Sequence, residues 1–284
     1  MNDVVALGAN GWQRFWNRGG WWKALIAVVA YYLLYQYVPL WTLGPFVGGL
    51  REPAAKILVA TGVPIAFGCV VLIVFAWSLG WLRELFGRQP IRGRGWMWIA
   101  VAITLLFNAL HFATIDYATA GAGIVLAWVI TGLFIGFAEE VLTRGLVVNL
   151  MRKAGYRELT VALVSAALFA AMHAGNMFSG QALLPTLVQL VYTFAFGVCM
   201  YLTLRVTGAL IWPILLHATT DPSIFLQSAY PAAGPLTGLA ALGNLVVIVA
   251  GLVLLIFIRG RVAVPGIRAG FVRGRDSEED GAHG

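Results

Sequence analysis

The stretch "GAGIVLAWVITGLFIGFAEEVLTRG", residues 121–145, decides how this chain folds. No residue from Gly121 to Ile135 is charged, and the "LVVNL" that follows the stretch carries no charge either. About 20 consecutive apolar residues cross the hydrocarbon core of a bilayer as a helix. The sequence therefore predicts that Glu139, Glu140 and Arg144 lie inside a membrane-spanning helix.

The composition extends this prediction to the whole chain. The 284 residues are 60% hydrophobic and 11% charged, with a mean hydropathy of +0.84, which lies outside the usage of soluble proteins. Eight hydrophobic segments follow one another, at about 22–43, 55–81, 96–118, 121–151, 158–177, 182–204, 208–220 and 235–258. We expect an all-α polytopic membrane protein, a single integral membrane domain over 1–284, with about eight transmembrane helices enclosing an intramembrane polar cavity.

The helical core is predicted to cover about 22–258. Pro213 and Pro222 are expected to kink or break the ends of the short seventh segment, because proline cannot complete the helical hydrogen bonds. Residues 260–284 are Gly-rich and charged, which is typical of a disordered tail. Cys69 and Cys199 lie in apolar runs and are expected to be buried free thiols rather than metal ligands or a disulfide.

The basic residues predict the orientation. Eight spans place both termini on one side, together with all nineteen Lys and Arg residues except Arg51, Lys56 and Arg144. The positive-inside rule then makes both termini and the tail cytoplasmic. The net charge of +7 is explained by topology and anionic membrane lipid, without nucleic acid. A preference for Arg over Lys with abundant Gly and Ala favours a GC-rich bacterial genome, and hence the bacterial inner membrane.

The intramembrane charges are the candidate site. Each costs several kcal/mol in a bilayer, so such groups usually face a polar interior and have a function. Glu140 and Arg144 are four residues apart and can pair on one helix face, whereas Glu139 points about 100° away. The pair alone could simply join helices, but that interpretation leaves Glu139 without a role.

Two histidines are predicted at a similar depth. His173 lies in "ALFAAMHAGN", and His217 lies in "LLHATTDP", where Asp221 can orient it if the helix continues that far. His111 lies toward the end of the third span, and we expect a structural role for it. One carboxylate and two imidazoles can activate water directly, or can bind Zn²⁺ or another divalent metal through Glu139, His173 and His217. Both routes are hydrolytic, and both stay open.

Three motifs resemble one family of membrane proteases. E-E-x-x-x-R at Glu139–Arg144, F-x-x-x-H at Phe169–His173 and H-x-x-x-D at His217–Asp221 occur in this order on three predicted helices. The chain over about 120–225 thereby resembles the CAAX protease and bacteriocin-processing family of intramembrane endopeptidases, also called type II CAAX prenyl endopeptidases. Asp221 departs from the family's usual Asn or other polar residue.

The resemblance implies roles for these residues. Glu139 would be the general base that activates water, with His173 beside it. His217 and Asp221 would stabilise the oxyanion and orient the site, and Arg144 would hold Glu140. Phe169 is expected to pack rather than to react. The family's mechanism is described both as metal-dependent and as metal-free.

Two rival functions use the same side chains. A proton-coupled transporter also needs intramembrane Glu, His and Arg residues, but we find no inverted repeat. A catalytically silent immunity or scaffold protein would only bind a partner. The sequence assigns no oligomeric state. We expect the partners to be membrane lipid and a peptide or membrane-protein substrate, and prenylated CAAX proteins are improbable substrates in a bacterium.

Overall fold

The computed structural model describes residues 10–263 of the chain. Over this range the chain forms ten continuous helical segments: α1 Gly11–Asn17, α2 Trp21–Val47, α3 Pro53–Ser78, α4 Leu82–Phe86, α5 Gly95–Ala113, α6 Tyr117–Lys153, α7 Glu158–Ser179, α8 Leu183–Thr207, α9 Ile211–Ala229 and α10 Pro235–Leu255. The β pairing among these residues consists of two isolated bridges, Ile115 with Pro231 and Arg157 with Arg261. The predicted all-α class is confirmed. The predicted tail lies outside the described residues from residue 264 onward.

Seven of these helices are long and apolar enough to cross a membrane, namely α2, α3, α5, α6, α7, α8 and α10. The chain is thus an integral membrane protein. The seventh predicted segment, 208–220, is present as α9, but α9 does not count as an apolar span because "HATTD" lies at its middle. Within residues 10–263 there are therefore seven candidate spans, and the more polar helix α9 lies among them.

Helix α9 is longer than the sequence indicated. Pro213 is the third residue of the helix, where its missing N–H has no intrahelical partner to lose. Pro222 lies inside the helix, which continues to Ala229 instead of breaking. Asp221 is therefore on the same continuous helix as His217.

Two glycines bring α6 against α9. A Cβ at Gly136 would lie 2.6 Å from the backbone N of Ala218 and 2.6 Å from the carbonyl O of Ile214. A Cβ at Gly132 would lie 2.7 Å from the carbonyl O of Ala218, which is the carbonyl that Pro222 cannot bond. The helix backbones approach closely because no side chain separates them. One turn after Gly136, α6 presents its two glutamates to α9.

Helix α6 changes its winding directly after these glutamates. Val141–Val147 forms a π-helical segment within α6, and Arg144 is at its centre. Such a segment inserts one extra residue into a turn and is frequent at functional sites. It sets the direction of Arg144 relative to Glu140.

A second buried ionic cluster joins the end of α6 to α7 and α8. Arg152 bonds both oxygens of Glu158, with Nε at 2.9 Å from Oε1 and Nη2 at 2.7 Å from Oε2. Arg205 Nη1 lies 3.1 Å from Glu158 Oε2, to which the Tyr201 hydroxyl also donates. Two of the basic residues predicted at the cytoplasmic side are thus used inside the protein.

Candidate active site

His217 is the centre of the site and is almost fully buried. Its Nδ1 lies 2.7 Å from Glu140 Oε1. Its Nε2 lies 3.5 Å from Glu139 Oε2 and 3.7 Å from Asp221 Oδ1. The structure therefore brings together both predicted glutamates of α6 and the His–Asp pair of α9. A carboxylate only accepts, so the Nδ1–H of His217 donates to Glu140 and the opposite edge of the ring faces the other two carboxylates.

The two adjacent glutamates have different surroundings. Glu140 lies 3.1 Å from Arg144 Nη1, and both side chains are 0% exposed. The Glu139 side chain is 20% exposed, and its Oε2 has no hydrogen-bond partner among the described residues. Among the described residues, each glutamate therefore has one buried oxygen without a hydrogen-bond partner; they differ because Glu140 is fully buried and paired with Arg144, whereas Glu139 is partly exposed.

Arg144 is held from several sides. Its Nη1 donates to the hydroxyl of Thr143, and the carbonyl of Thr143 accepts a 2.9 Å hydrogen bond from Ser165. The guanidinium lies over the ring of Phe169, with 4.6 Å between Arg144 Cζ and the ring centroid. A Cβ at Gly197 would lie 3.0 Å from Nη2. This packing fixes Arg144 and, through it, the Glu140 carboxylate.

His173 joins the site through an aromatic neighbour. It is half-buried at the end of the α-helical part of α7, and its Nδ1 donates to the carbonyl of Phe169 at 3.0 Å. The Phe169 ring centroid lies 5.0 Å from that of His173 and 5.7 Å from that of His217. Phe169 therefore packs against both imidazoles and Arg144 together. Within the described residues no hydrogen bond links His173 directly to Glu139 or His217.

The side chains do not form a metal-binding group in this arrangement. In the part of the chain that the structure describes, no three His, Cys, Asp or Glu residues are placed to hold a metal ion. Both ring nitrogens of His217 face carboxylates, and Nδ1 of His173 is used by a backbone carbonyl. The predicted ligands Glu139, His173 and His217 are not grouped as a metal site in this arrangement, and metal dependence stays a prediction. Cys69 and Cys199 are buried free thiols, as predicted.

Several residues that position the site carry only weak sequence signals. Asn108 of α5 donates to the hydroxyl of Thr219 at 3.0 Å and to that of Thr220 at 2.9 Å, which fixes α9 beside His217. A lone Asn in an apolar span is a signal that could have indicated this role. His111, one turn further, lies 3.0 Å from the carbonyl O of Ala240 and so joins α5 to α10. That contact agrees with the structural role expected for it.

An apolar groove adjoins the site. Its volume is about 440 Å³, and it lies between α2 and the end of α7. Its lining includes Met172 and Ala174, the two neighbours of His173 in the sequence. Leu25, Val29, Tyr32 and Phe178 also line it. Beside the buried polar side chains, the protein thus presents an apolar surface that leads toward His173.

The fold and the site together define a class of protein. It is an integral membrane protein in which a buried Glu–Arg pair and two histidines lie on three neighbouring helices. Residues 121–222 match the model of the family described as type II CAAX prenyl endopeptidase Rce1-like. The match confirms the resemblance to CAAX proteases and, at the family level, supports a membrane-embedded protease. None of the curated proteins matches the chain.

Proposed function

We propose that this protein is an intramembrane endopeptidase that hydrolyses peptide bonds of membrane-associated peptides or proteins, with Glu139 as the general base. The observation that carries the proposal is the difference between the two adjacent glutamates. Glu140 is fully buried and paired with Arg144, whereas the Glu139 side chain is 20% exposed and lies 3.5 Å from His217 Nε2. A base must reach both water and the scissile bond, and Glu139 is the carboxylate that can do so.

The proposed reaction begins with water beside Glu139. Glu139 removes one proton while the water oxygen attacks the scissile carbonyl, and the negative charge moves to the carbonyl oxygen. In the proposal His217, whose two ring nitrogens both face carboxylates, is doubly protonated, so that its Nε2–H can stabilise that oxyanion from the α9 side. His173 lies on the α7 side, against the same Phe169 ring. Glu139 then returns the proton to the leaving amine, which balances the hydrolysis.

Glu140 and Arg144 are proposed as positioning residues rather than reacting groups. The 2.7 Å hydrogen bond from His217 Nδ1 to Glu140 fixes the plane of the imidazole. Arg144 pairs with the Glu140 carboxylate, and this pairing offsets the free-energy cost of burying the charge of Glu140. Asp221 lies on the Nε2 side of His217 at 3.7 Å, and its side chain is 23% exposed. In the proposal it orients that edge of the ring.

The test is cleavage of a peptide library by the purified protein in detergent and in liposomes. The wild-type protein should release peptide fragments, and Glu139→Gln should reduce turnover by about 10²–10⁴-fold, because it removes the base but keeps the shape. Thermal unfolding of the variant should match that of the wild type. Parallel reactions with and without a chelator test metal dependence separately.

Three results would contradict the proposal. Near-normal cleavage by Glu139→Gln would show that another group is the base. Proton-coupled uptake into liposomes without any cleavage would favour a transporter instead. A protein that neither cleaves nor transports but binds a peptide would fit a silent scaffold.

A further inference from the structure

A single buried hydroxyl, that of Thr143, connects the two glutamates of the candidate site. Thr143 is 0% exposed and is the third residue of the π-helical segment Val141–Val147. It stands at one of the open positions of E-E-x-x-x-R, so the motif itself assigns it no role. Its contacts are what indicate one.

The hydroxyl donates a hydrogen bond to the backbone of the proposed base. Thr143 Oγ1 lies 2.5 Å from the carbonyl O of Glu139, four residues earlier. A threonine that bonds the carbonyl four residues back often bends its helix. Here the bond spans the change from α-helical to π-helical winding that begins at Val141. The hydroxyl therefore holds the stretch of backbone from which the Glu139 side chain projects.

The same hydroxyl accepts a hydrogen bond from the guanidinium that pairs with the second glutamate. Arg144 Nη1 donates to Thr143 Oγ1 and lies 3.1 Å from Glu140 Oε1. A guanidinium can only donate, whereas a hydroxyl both donates and accepts. The Thr143 hydroxyl can thus join the Glu139 carbonyl to Arg144, and an apolar side chain of the same shape could not.

The backbone of Thr143 is fixed by the neighbouring helix. Ser165 of α7 is 0% exposed, and its Oγ donates to the carbonyl O of Thr143 at 2.9 Å. Helix α7 also carries His173. Hydrogen bonds from α7 and from Arg144 therefore meet at the residue that bonds the backbone of Glu139.

We propose that Thr143 is a positioning residue for hydrolysis, whose hydroxyl holds Glu139 in place relative to the Glu140–Arg144 pair. The inference rests on the proposed function. In this role Thr143 does not touch the substrate and exchanges no proton. A small misplacement of a reacting group lowers turnover strongly, so loss of the hydroxyl acts on the chemical step rather than on peptide binding.

The experiment compares two substitutions that divide the threonine side chain. Thr143→Val removes the hydroxyl and keeps the branched shape, whereas Thr143→Ser keeps the hydroxyl and removes the methyl group. The substrate is the peptide that the wild-type protein cleaves, and every assay is run well below the unfolding midpoint of each variant.

The two variants should differ in kcat and agree in KM. Thr143→Val should lower kcat by about tenfold, the effect of one lost hydrogen bond. Its KM should stay within about twofold of the wild-type value, because the interaction serves the transition state. Thr143→Ser retains the hydroxyl and should keep kcat within about threefold of the wild-type value.

Thr203→Val is the matched control. Thr203 of α8 is 1% exposed, and its Oγ1 donates to the carbonyl O of Cys199, four residues earlier, at 2.9 Å. The control therefore loses a buried bond of the same kind from a helix that carries none of the proposed reacting groups. It should lower the unfolding midpoint and leave kcat unchanged.

A second variant disturbs the position of Thr143 without changing its side chain. Ser165→Ala removes the hydrogen bond to the Thr143 carbonyl. It should lower kcat by a smaller factor than Thr143→Val, again with KM unchanged. In the Thr143→Val background it should have less effect, because both changes disturb the same connection.

The outcomes separate this inference from the proposed function. If the wild type cleaves the peptide and Thr143→Val lowers kcat no more than Thr203→Val, the Thr143 assignment is wrong while the endopeptidase stands. If Thr143→Ser loses as much turnover as Thr143→Val, packing rather than the hydroxyl is responsible, and the inference is again wrong. Wild-type kcat in Ser165→Ala would also overturn it, and decides the case if Thr143→Val does not fold. If the wild-type protein cleaves nothing, the proposed function fails and this inference with it.

Discussion

At the scale of the residue, the buried Glu140 carboxylate contacts two side chains, Arg144 and His217, in place of water. Arg144 Nη1 at 3.1 Å and His217 Nδ1 at 2.7 Å both reach the same oxygen, Oε1. Removing two charges from water is costly, and only good geometry recovers that cost. The arrangement is therefore stable as a unit and becomes unfavourable as soon as one member is removed.

Arg144→Ala should consequently destabilise the fold. It leaves Glu140 as a buried carboxylate without its cation, a change that costs on the order of 3–5 kcal/mol in soluble proteins. The packing of Phe169 against the guanidinium is also lost. We expect a lower thermal unfolding midpoint in detergent together with loss of cleavage.

Lys153→Ala is the matched control for this prediction. Lys153 lies on the same helix and pairs with Glu84 at 2.8 Å, but the two side chains are 21% and 46% exposed. Exposed pairs contribute at most about 1 kcal/mol, so the midpoint should hardly change. Equal unfolding midpoints for the two variants would show that the buried pair does not stabilise the protein.

Of the side-chain contacts in the site, the sequence predicted the one within a helix but not the one between helices. The Glu140–Arg144 pair followed from helical spacing alone, because positions four apart share a face. That Glu140 also bonds His217 did not follow, since it depends on the packing of α6 against α9.

At the scale of the element, the site is assembled by one helix–helix contact. Gly136 of α6 lies against the backbone of Ile214 and Ala218, the residues that flank His217. Backbone atoms cannot rotate away as a side-chain end can. Any side chain at Gly136 must therefore move the two helices apart.

Gly136→Ala should separate Glu139 from His217. The added methyl group would meet two backbone atoms at 2.6 Å, and overpacking of this kind costs about 1–3 kcal/mol. We expect a reduced unfolding midpoint and a loss of cleavage larger than the loss of folded protein explains.

The control is a glycine on the same helix with more space. Gly123→Ala adds the same methyl group where the nearest atom, Ala54 Cβ, lies 3.7 Å away. That variant should retain stability and turnover. A Gly136→Ala protein with wild-type turnover would mean that the close approach is not needed for the site.

The helices themselves were largely predictable because long apolar runs are a strong signal. The exception was α9, whose predicted end at residue 220 fell short of Ala229. Pro222 suggested a break, yet the contact of Gly132 with Pro222 and with the Ala218 carbonyl provides packing that a single sequence does not reveal. The packing of α6 against α9 therefore outweighs the tendency of Pro222 to end the helix.

At the scale of the whole molecule, charge predicts the orientation in the membrane. With α9 as an eighth crossing beside the seven apolar spans, the positive-inside rule predicts that both termini and the connection between α3 and α5 are cytoplasmic. That connection contains Arg83, Arg88, Arg92 and Arg94. Reporter fusions at Arg92 and at the C-terminus should agree, and a fusion near Glu52 should give the opposite result. Agreement among all three would mean that the number of membrane crossings is wrong.

The polar character of α9 has a consequence for how the protein is made. A helix with His217 and Asp221 at its middle is not readily released from the translocon into lipid. One central Asp alone raises the free energy of insertion by about 2.5–3.5 kcal/mol. Helix α9 must therefore leave the translocon against neighbours that have already been inserted, and Gly132 and Gly136 of α6 provide the surface for it. Until the ribosome has synthesised α9, Glu139 has no His217 beside it. If the proposed function holds, the nascent chain is therefore inactive until α9 has docked and completed the site.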